Sequence, residues 1–572
     1  MADKKTQGFY RGLTEYGDAG FSRFLREVFL SSMGVEGAEL DMPVIGVANT
    51  ASGYVTCHRE MPQLIAAIER GISSAGGYPV VFPTMSIPEI MTNPTSMFVR
   101  NLMALETEES LRTQPMDAVV LVGGCDKTVP AQLMAALSAD MPAMQVVAGP
   151  MLSGRWGERK VGACTDCRAV WRDYRSGDLS AEDVASVRGE LAPSGGTCGV
   201  MGTASTMAAM TEVLGFAPLG SASASAPSGK RLAIGYQTGV AAVEAATSSR
   251  QPSQFLTKAS FTNAAVILGA IGGSTNAVIH LLAIARRAGV AFSLDDVAAA
   301  SATAPLVSNV KPSGSGYMDD FHTDGGVPQV LLRIKNLLDL DAGRADGTTL
   351  GEALSRFTLS EPTGAGIRRA DDILHEGGSI KVLRGNLAPS GAVIKTSAAT
   401  PSLLVHEGPA VVFESLEDLA ARIDSDDLNV TAESVLVLRN AGPLAAGMPE
   451  AGALPIPKKL GAQGVTDMVR ISDARMSGTA FGTVVLHVAP ESAAGGPLGA
   501  VRDGDVIRLD AGRGLLEVDL SDEEIAARLT EFVPVISLPD TRWGRIQRSL
   551  ILQADNGCDL DVELPEGAGD EH

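Results

Sequence analysis

Three consecutive residues, Cys125, Asp126 and Lys127, place a thiol, a carboxylate and an amine directly after the apolar segment 116–124. Thiolates prefer iron or zinc as metal partners, whereas carboxylates prefer magnesium or manganese. Open α/β sheets bind their ligands beyond the carboxyl ends of the strands, which is where this triplet is expected to lie. We therefore interpret the triplet as part of a catalytic site at which two kinds of metal chemistry meet.

Two further cysteines, Cys57 and Cys198, are candidates to join Cys125. Each thiol taken alone fits a buried, inert cysteine better. As a set they fit an iron–sulfur cluster that lacks one of the usual four protein ligands, which leaves one iron open to substrate. We expect Cys198 at the N-terminus of a helix over about 200–214, where the helix dipole favours a thiolate.

The pair Cys164 and Cys167 has the C-x-x-C spacing of metal ligands, but the second nearby pair that a zinc site needs is missing from the sequence. A structural or incidental role is the preferred interpretation, and redox and metal roles stay open. His58, next to Cys57, is interpreted as a neighbouring imidazole with satisfied hydrogen bonds and not as a ligand.

Three carboxylates, Glu89, Asp126 and Glu450, are candidate ligands for a hard cation. Solvated surface carboxylates are the alternative, and for Glu450 alone that alternative is favoured. The ammonium group of Lys127 would repel metal ions. Lys127 must therefore either form a salt bridge or lose its charge.

Two polar segments are candidate catalytic or anion-binding loops. Residues 470–479 are interpreted as a catalytic loop between strands, in which Ser477 beside Gly478 can approach a ligand closely; the alternative is a turn stabilised by Asp473 and Arg475. Residues 272–276 open a helix and would either bind an anion or provide a plain N-cap through Ser274 or Thr275.

Strand and helix patterns alternate in the first part of the chain, which predicts a doubly wound, mostly parallel sheet. The predicted strands are 43–48, 78–82, 118–122 and 144–148, and the predicted helices between them are 61–74, 95–111 and 131–138. Right-handed crossovers bring the ends of the first three strands to one edge. Cys57, Glu89 and Cys125 follow these strands, so we expect them to converge.

A change of pattern near residue 375 predicts two domains, residues 1–374 and residues 375–572. Short apolar runs punctuated by Gly and Pro predict a strand-rich second domain, a sandwich or a barrel. These runs are 402–405, 410–413, 434–438, 483–488 and 505–509. The acidic tail from residue 563 is expected to fray.

The 572 residues carry a formal net charge of −21, which argues against nucleic acid or an anionic membrane as partner. Near Met1 the sequence has neither a basic segment nor a long apolar run, so no export signal is visible. Six cysteines are far too few for a disulfide scaffold, which favours a reducing cytoplasm. The longest apolar stretch, 263–285, contains polar residues and fits a buried helix after a glycine-rich turn better than a membrane span.

Several motifs together resemble the dihydroxy-acid and sugar-acid dehydratases, the IlvD/Edd family. They extend over nearly the whole chain in the order of the family, and they are Gly123–Lys127, Ser194–Gly199, Gly272–Ala277, Arg384–Pro389, Ser472–Gly478 and Val501–Asp505. The resemblance implies an N-terminal α/β domain with the metal sites and a C-terminal, β-barrel-like, swivelling domain that supplies the serine loop. It also implies a homodimer or homotetramer.

The resemblance further implies the cofactors and the roles of residues. Cys57, Cys125 and Cys198 would hold an iron–sulfur cluster, [2Fe–2S] with [4Fe–4S] as the alternative. Glu89, Asp126, Glu450 and a carbamylated Lys127 would bind Mg²⁺. Ser477 would be the base and Thr479 would help to place the substrate.

On this resemblance the reaction is the loss of water from a 2,3-dihydroxy acid, which gives a 2-keto-3-deoxy acid. Branched-chain members usually have Asp-Gly-Arg-Phe-Ser-Gly in the serine loop and often Asp at the position of Glu89, whereas this chain has the segment Asp473–Gly478 and Glu89. Both departures favour an aldonic acid such as L-arabinonate or D-xylonate. A branched-chain dihydroxy acid is the alternative.

Two other classes of protein are weaker interpretations. A nucleotide-binding α/β protein would carry G-x-G-x-x-G after its first strand, and this chain does not. An electron-transfer protein needs a cluster closed by four ligands, whereas only three dispersed cysteines are candidate cluster ligands in this sequence.

Overall fold

The computed structural model describes residues 7–13, 17–374 and 378–562. Its strands are β1 (Val44–Asn49), β2 (Tyr78–Pro83), β3 (Ala118–Gly123), β4 (Ala143–Val147), β5 (Gly154–Trp156), β6 (Arg159–Val161), β7 (Lys381–Gly385), β8 (Ala388–Ile394), β9 (Val405–Phe413), β10 (Val435–Leu438), β11 (Arg470–Ser472), β12 (Val484–Ala489), β13 (Val506–Asp510) and β14 (Leu515–Val518).

Helices connect these strands and cover the sheet. In chain order they are α1 (Ala19–Ser32), α2 (Met61–Ser74), α3 (Arg100–Thr113), α4 (Thr128–Ser138), α5 (Thr165–Ser176), α6 (Ala181–Leu191), α7 (Thr203–Val213), α8 (Gly229–Ser248), α9 (Lys258–Ala270), α10 (Asn276–Arg287), α11 (Leu294–Thr303), α12 (Met318–Thr323), α13 (Gly326–Arg333), α14 (Leu350–Leu354), α15 (Leu416–Arg422), α16 (Pro443–Ala446), α17 (Lys458–Gly461), α18 (Asp522–Glu531) and α19 (Arg542–Leu550).

The N-terminal part is built on a four-stranded parallel sheet with the strand order β2-β1-β3-β4. β3 is buried along its whole length, as a central strand with a continuous apolar sequence requires. α8 packs against both β3 and β4, while α4 packs against β3. The mixed α/β class predicted from the alternating pattern is confirmed.

The parallel arrangement places the carboxyl ends of β1, β2 and β3 at the same edge of the sheet. A short 3₁₀ helix, Thr56–His58, follows β1, and another, Glu89–Met91, follows β2. The triplet Cys125 to Lys127 lies directly between β3 and α4. The candidate residues therefore occupy adjacent loops.

The C-terminal part forms an eight-stranded closed barrel with the order β10-β11-β12-β8-β7-β14-β13-β9. Closure leaves the barrel without a free edge, and its interior is filled by aliphatic side chains such as Leu383, Val437 and Ile507. Of the two predicted alternatives, a sandwich and a barrel, the barrel is confirmed. β11 and β12 are parallel neighbours, and the loop between them carries Ser477.

One predicted strand is wrong. Residues 402–405 were expected to be extended, but Pro401–Leu403 is a 3₁₀ helix and β9 starts only at Val405. Pro401 at the first helical position has the fixed φ that a helical turn needs, and this preference prevails over the apolar pattern.

The predicted domain boundary lies next to residues 375–377, and these residues and the tail 563–572 lie outside the described part of the chain.

In the described ranges, no helix combines the length and the apolar character that crossing a membrane requires. The apolar stretch 263–285 is instead divided between α9 and α10, which are separated by the turn at Gly272. The φ of Gly272 is +60°, a conformation that side chains with a Cβ rarely adopt.

The contact between α2 and α8 depends on two glycines. A Cβ atom on Gly71 would lie 2.1 Å from the carbonyl oxygen of Tyr236, and one on Gly239 would lie 2.4 Å from the carbonyl oxygen of Ile68. The backbones of the two helices therefore approach each other too closely for any side chain at these positions. Because α8 also packs on the sheet, this contact supports the strands that carry the site.

We predict that Gly71→Ala destabilises the protein by about 1–3 kcal/mol, because the added methyl group forces the two helices apart. Gly189→Ala in α6 is the matched control, since its Cβ would have no heavy atom of the described residues within 4 Å. The control should be neutral or slightly stabilising because alanine is the better helix former. Urea unfolding followed by circular dichroism measures both variants, and equal shifts would contradict this role of the contact.

Candidate active site between the sheet edge and the barrel

Cys125 lies at the edge of the sheet, where the neighbouring thiol of Cys57 and burial raise the pKa of the Cys125 thiol. The backbone N–H of Cys125 donates to Nε2 of His58 at 3.0 Å. Nδ1 of His58 therefore carries the proton and donates to the carbonyl oxygen of Thr50 at 2.8 Å. Burial lowers the pKa of His58 to about 4, so the ring is neutral. The imidazole is satisfied, and it positions the turn that carries Cys125.

Cys198 reaches the same region from a separate loop. The helix expected from about 200 begins instead at Thr203, with Gly202 as its N-cap, so the prediction that Cys198 sits at a helix N-terminus is wrong. Residues before α7 hydrogen-bond to other loops: the N–H of Gly199 donates to the carbonyl oxygen of Ala163. This pairing keeps the chain out of the helix until Gly202.

A fourth thiol lies beside Cys198. It belongs to Cys164, which immediately precedes α5, and the Sγ atoms of Cys164 and Cys198 are 3.6 Å apart. The thiol of Cys167, one turn into α5, interacts with that of Cys164. The pair interpreted as structural or incidental therefore lies next to a candidate cluster ligand.

Lys127 is completely buried and is held by two of the candidate carboxylates. Its Nζ atom is 2.6 Å from Oδ2 of Asp126 and 3.6 Å from Oε2 of Glu89. The sequence analysis expects Lys127 either to form a salt bridge or to lose its charge. In the unmodified chain it forms the salt bridge.

Arg475 lies at the centre of the charged group, whereas the sequence alone indicated only that it could stabilise a turn. Its guanidinium is fully buried and bridges two carboxylates, Glu89 at 2.6 Å and Glu450 at 2.6 Å. Glu89 belongs to the loop after β2, whereas Glu450 and Arg475 come from the barrel part of the chain. The position of Arg475 in the serine loop, two residues before Ser477, was the available signal.

The pKa values of the three carboxyl groups reflect burial and these cations. Burial alone would raise the pKa of Glu89, but the charges of Arg475 and Lys127 hold it well below its usual range. For Asp126 burial is likewise outweighed, chiefly by Lys127, and its pKa is lowered. Burial prevails at Glu450, whose pKa is raised although Arg475 opposes the shift.

The serine loop packs against the start of α5 and against the segment 272–276. Oγ of Ser477 lies 2.9 Å from Oγ1 of Thr479, and Oγ1 of Thr165 donates to the carbonyl oxygen of Thr479 at 2.9 Å. A Cβ on Gly478 would lie 2.5 Å from Oγ of Ser274. Gly478 is therefore required for the loop to contact the segment 272–276. Asp473 also stabilises the loop as expected, because it accepts from the backbone N–H groups of Ala441 and Ser492.

The segment 272–276 does not end in a plain N-cap. Thr275 occupies the N-cap position of α10 without a capping hydrogen bond from its side chain. Oγ1 of Thr275 and Oδ1 of Asn276 are buried and have no hydrogen-bond partner among the described residues. The segment therefore brings unsatisfied polar atoms next to the serine loop.

The donor atoms of these side chains can be compared with those that a magnesium ion and an iron–sulfur cluster require. Within residues 7–13, 17–374 and 378–562, no group of three His, Cys, Asp or Glu side chains is arranged to hold a metal ion. Lys127 and Arg475 instead offset much of the charge of the carboxylates. Loss of the Lys127 charge would free Asp126 and one contact of Glu89, while Glu450 would still pair with Arg475. Carboxylates offer hard oxygen ligands and the thiols offer soft ligands alongside, so the donor types fit both groups.

Two family models match most of this chain. The model of the dihydroxy-acid/6-phosphogluconate dehydratase N-terminal region matches residues 42–353, and that of the C-terminal region matches residues 365–558. The chain is 44% identical over 552 residues to the L-arabonate dehydratase of Azospirillum brasilense, with 94% of each chain covered.

Two further relatives mark the range of similarity. The chain is 44% identical over 523 residues to the 6-deoxy-6-sulfo-D-gluconate dehydratase of Pseudomonas putida, covering 91% of this chain and 90% of the relative. It is 36% identical over 527 residues to the dihydroxy-acid dehydratase of Natronomonas pharaonis, covering 90% and 88%. The chain belongs to the IlvD/Edd dehydratase family and is a hydro-lyase.

We predict that Arg475→Met destabilises the protein by about 3–5 kcal/mol, because it leaves the buried carboxylates of Glu89 and Glu450 without their shared cation. Arg508→Met is the control, since Arg508 pairs with Glu407 in an exposed position and should contribute within about 1 kcal/mol. Thermal unfolding of both variants tests this. An unchanged midpoint for Arg475→Met would show that the bridge does not hold the two parts together.

Proposed function

We propose that this hydro-lyase dehydrates an aldonic acid to the 2-keto-3-deoxy acid. The observation that carries the proposal is the bridge through Arg475, which brings the serine loop of the barrel to the carboxylates and the lysine at the sheet edge. β-Elimination of water needs a base and ligands for an acidic hydroxy compound. In this proposal the barrel part supplies the base and the sheet edge supplies the ligands.

The substrate class is supported by the relatives. The 6-deoxy-6-sulfo-D-gluconate and L-arabonate dehydratases are 44% identical to this chain, whereas the D-xylonate dehydratase of Caulobacter vibrioides and the dihydroxy-acid dehydratase of Natronomonas pharaonis are each 36% identical. Glu89 and the segment Asp473–Gly478 differ from the pattern of the branched-chain dehydratases, and both differences favour an aldonic acid as substrate. Dehydration of 2,3-dihydroxyisovalerate to 2-ketoisovalerate is the alternative function.

The proposal assigns two cofactors to the site. Cys57, Cys125 and Cys198 would hold a [2Fe–2S] cluster, with [4Fe–4S] as the alternative. Glu89, Asp126 and Glu450 would bind Mg²⁺ together with a carbamate on Lys127. Carbamylation would turn the positive group at the centre of the carboxylates into an anionic oxygen ligand, so that a divalent cation is attracted where it is otherwise repelled. When bound, the two groups supply Lewis acids for the departing 3-hydroxyl and for the carboxylate and 2-hydroxyl.

The chain's own groups account for the proton transfer. As an alkoxide, Ser477 would accept the proton from C2 while the C3–O bond breaks and the 3-hydroxyl leaves as hydroxide, and the resulting enol would tautomerise to the keto acid. An ordinary serine is far too weak a base, so Ser477 must be activated by the neighbouring positive charge of the metal site. Thr479, hydrogen-bonded to Ser477, would orient this hydroxyl and the substrate.

We expect Ser477→Ala to lower kcat by about 10³-fold or more, because the general base is lost, while iron content and unfolding temperature stay unchanged. Ser549→Ala is the control, since Ser549 is exposed on α19 and its hydroxyl donates only to a helix carbonyl. Steady-state assays of 2-keto acid formation measure both variants. Full activity of Ser477→Ala would remove this residue from the role of base.

A substrate panel tests the function itself. Anaerobically purified protein with Mg²⁺ is incubated with L-arabinonate, D-xylonate, other aldonates and 2,3-dihydroxyisovalerate, and 2-keto acid formation is followed. The proposal predicts turnover of at least one aldonate with a higher kcat/KM than that of 2,3-dihydroxyisovalerate. Higher efficiency with 2,3-dihydroxyisovalerate would favour the alternative, and turnover of none of the acids would contradict both.

The proposal also includes a homodimer or homotetramer in the cytoplasm, with the small hydroxy acid as substrate. An apolar stripe on α1 supports self-association, because Phe24, Val28 and Phe29 are 58%, 45% and 67% exposed. Light scattering tests the subunit count, and a monomer in solution would contradict it.

A further inference from the structure

A cavity of about 400 Å³ lies between α5 and the barrel part of the chain, next to the serine loop. Ala480 and Phe481, which directly follow Thr479, belong to its wall. Arg168 lines it from α5, one turn after Thr165, whose hydroxyl donates to the carbonyl oxygen of Thr479 at 2.9 Å. The function proposed above gives this cavity no role, although its wall adjoins the residues that position the proposed base.

The wall of the cavity has an excess of positive charge. Five of its side chains are cationic and two are carboxylates, namely Arg168, Arg172, Arg175, Lys458 and Arg470 against Asp173 and Asp178. Four of these cations form salt bridges, which join Arg172 to Asp173, Arg175 and Lys458 to Asp424, and Arg470 to Asp467. The charge of the remaining cation, Arg168, is therefore the one that a bound anion could compensate.

Arg168 has no salt bridge to a carboxylate in the described ranges of the chain. Its Nε atom is buried and lacks a hydrogen-bond partner there. Arg470 is close enough for the two guanidinium groups to repel each other: burial lowers the pKa of Arg470 against the opposing charge of Asp467, and the charge of Arg168 lowers it further. An oxyanion against Arg168 would accept hydrogen bonds from its guanidinium and offset this repulsion.

Several other side chains of the wall are apolar. Leu454, Ile456 and Val465 are aliphatic, and Trp171 and Phe481 are aromatic. Trp171 is 55% exposed, which leaves much of its ring free to contact a ligand. A sugar acid would turn hydroxyl groups toward these side chains without hydrogen-bond partners, which is costly. The cavity therefore fits an acid with an apolar body better than it fits the proposed substrate.

We propose that this cavity binds a small organic oxyanion with an apolar body, a carboxylate or a phosphate ester, through the guanidinium of Arg168. The volume lies within the range of small-molecule sites. The body of the ligand would lie against Trp171 and the aliphatic side chains. Because Ala480 and Phe481 belong to the same wall, the ligand would also contact the end of the serine loop and restrict its motion. The site is distinct from the one that holds the acid to be dehydrated.

The first test uses anaerobically purified, metal-loaded wild-type protein and three probes of similar shape: phenylacetate, phenyl phosphate and the uncharged phenylacetamide. Binding is measured by isothermal titration calorimetry and by the fluorescence of Trp171, with Trp171→Phe to identify the contribution of this residue. We expect at least one oxyanion to bind with a Kd below about 1 mM and about tenfold more tightly than the amide, because a hydrogen bond to a charged group is then gained.

The tighter of the two oxyanions identifies the head group, carboxylate or phosphate, that the site prefers. Affinity for phenylacetamide equal to that for both oxyanions would show that the charge is not recognised and would overturn the proposal. The absence of saturable binding for both oxyanions would overturn it as well.

The second test removes the guanidinium. Arg168→Met should weaken binding of the tighter oxyanion by about tenfold or more, whereas Arg188→Met should bind it as the wild type does. Arg188 is exposed on α6 and lies outside the wall of the cavity, so it is the matched control. Thermal unfolding verifies that both variants are folded.

Unchanged binding by Arg168→Met would contradict the proposal, since a probe held by the proposed metal ions would not depend on this residue. If the visible spectrum also changed while binding did not, Arg168 would instead compensate the charge of the thiol of Cys164, its electrostatic neighbour.

The third test follows the serine loop directly. Hydrogen–deuterium exchange of peptides that cover residues 477–483 is compared with and without the tighter oxyanion. We expect slower exchange in the wild type with the ligand and no such change in Arg168→Met. Unaltered exchange in the wild type with the ligand bound would contradict the contact with the loop. None of these measurements needs turnover, so a failure of the proposed dehydratase function would leave their outcome unaffected.

Discussion

The buried guanidinium of Arg475 is the interaction on which the site depends. It joins Glu89, in a loop of the parallel sheet, to Glu450, in the barrel part of the chain, through contacts of 2.6 Å. A buried arginine is costly to desolvate, and its charge is compensated in this site only because both carboxylates are in place. The same residue lies two positions before Ser477. The geometry that holds the two halves together therefore also positions the proposed base.

Much of the fold could be predicted from the sequence because local patterns and topology agree there. The helix over Met61–Ser74 and the buried strand after residue 117 follow from their periodicity, and parallel strand order alone predicts that Cys57, Glu89 and Cys125 converge. The barrel could be named only as one of two options, because short strands do not reveal how a sheet closes. The strand at 402–405 was wrong because Pro401 favours a helical turn.

The site was less predictable where it depends on contacts between distant residues. Apart from its place two residues before Ser477, nothing local distinguishes Arg475 from a turn residue, since its two partners are 386 and 25 positions away. The prediction for Cys198 was wrong for a related reason, because a hydrogen bond from Gly199 to a separate loop at Ala163 holds the chain outside the helix before α7. The same loop brings Cys164 beside Cys198, which the C-x-x-C spacing alone could not indicate.

The chemical state of Lys127, ammonium or carbamate, tests the proposed chemistry most directly. As an ammonium it completes a compact group with Asp126 and Glu89, and as a carbamate it would complete a magnesium site with them. These two states cannot both be the working form of the enzyme. A crystal structure of the anaerobically purified protein with Mg²⁺ distinguishes them directly. We predict a carbamate on Nζ of Lys127 and a magnesium ion bound by it, Glu89, Asp126 and Glu450. A bare ammonium still bound to Asp126 in the active, Mg²⁺-supplied enzyme would contradict the proposed metal site.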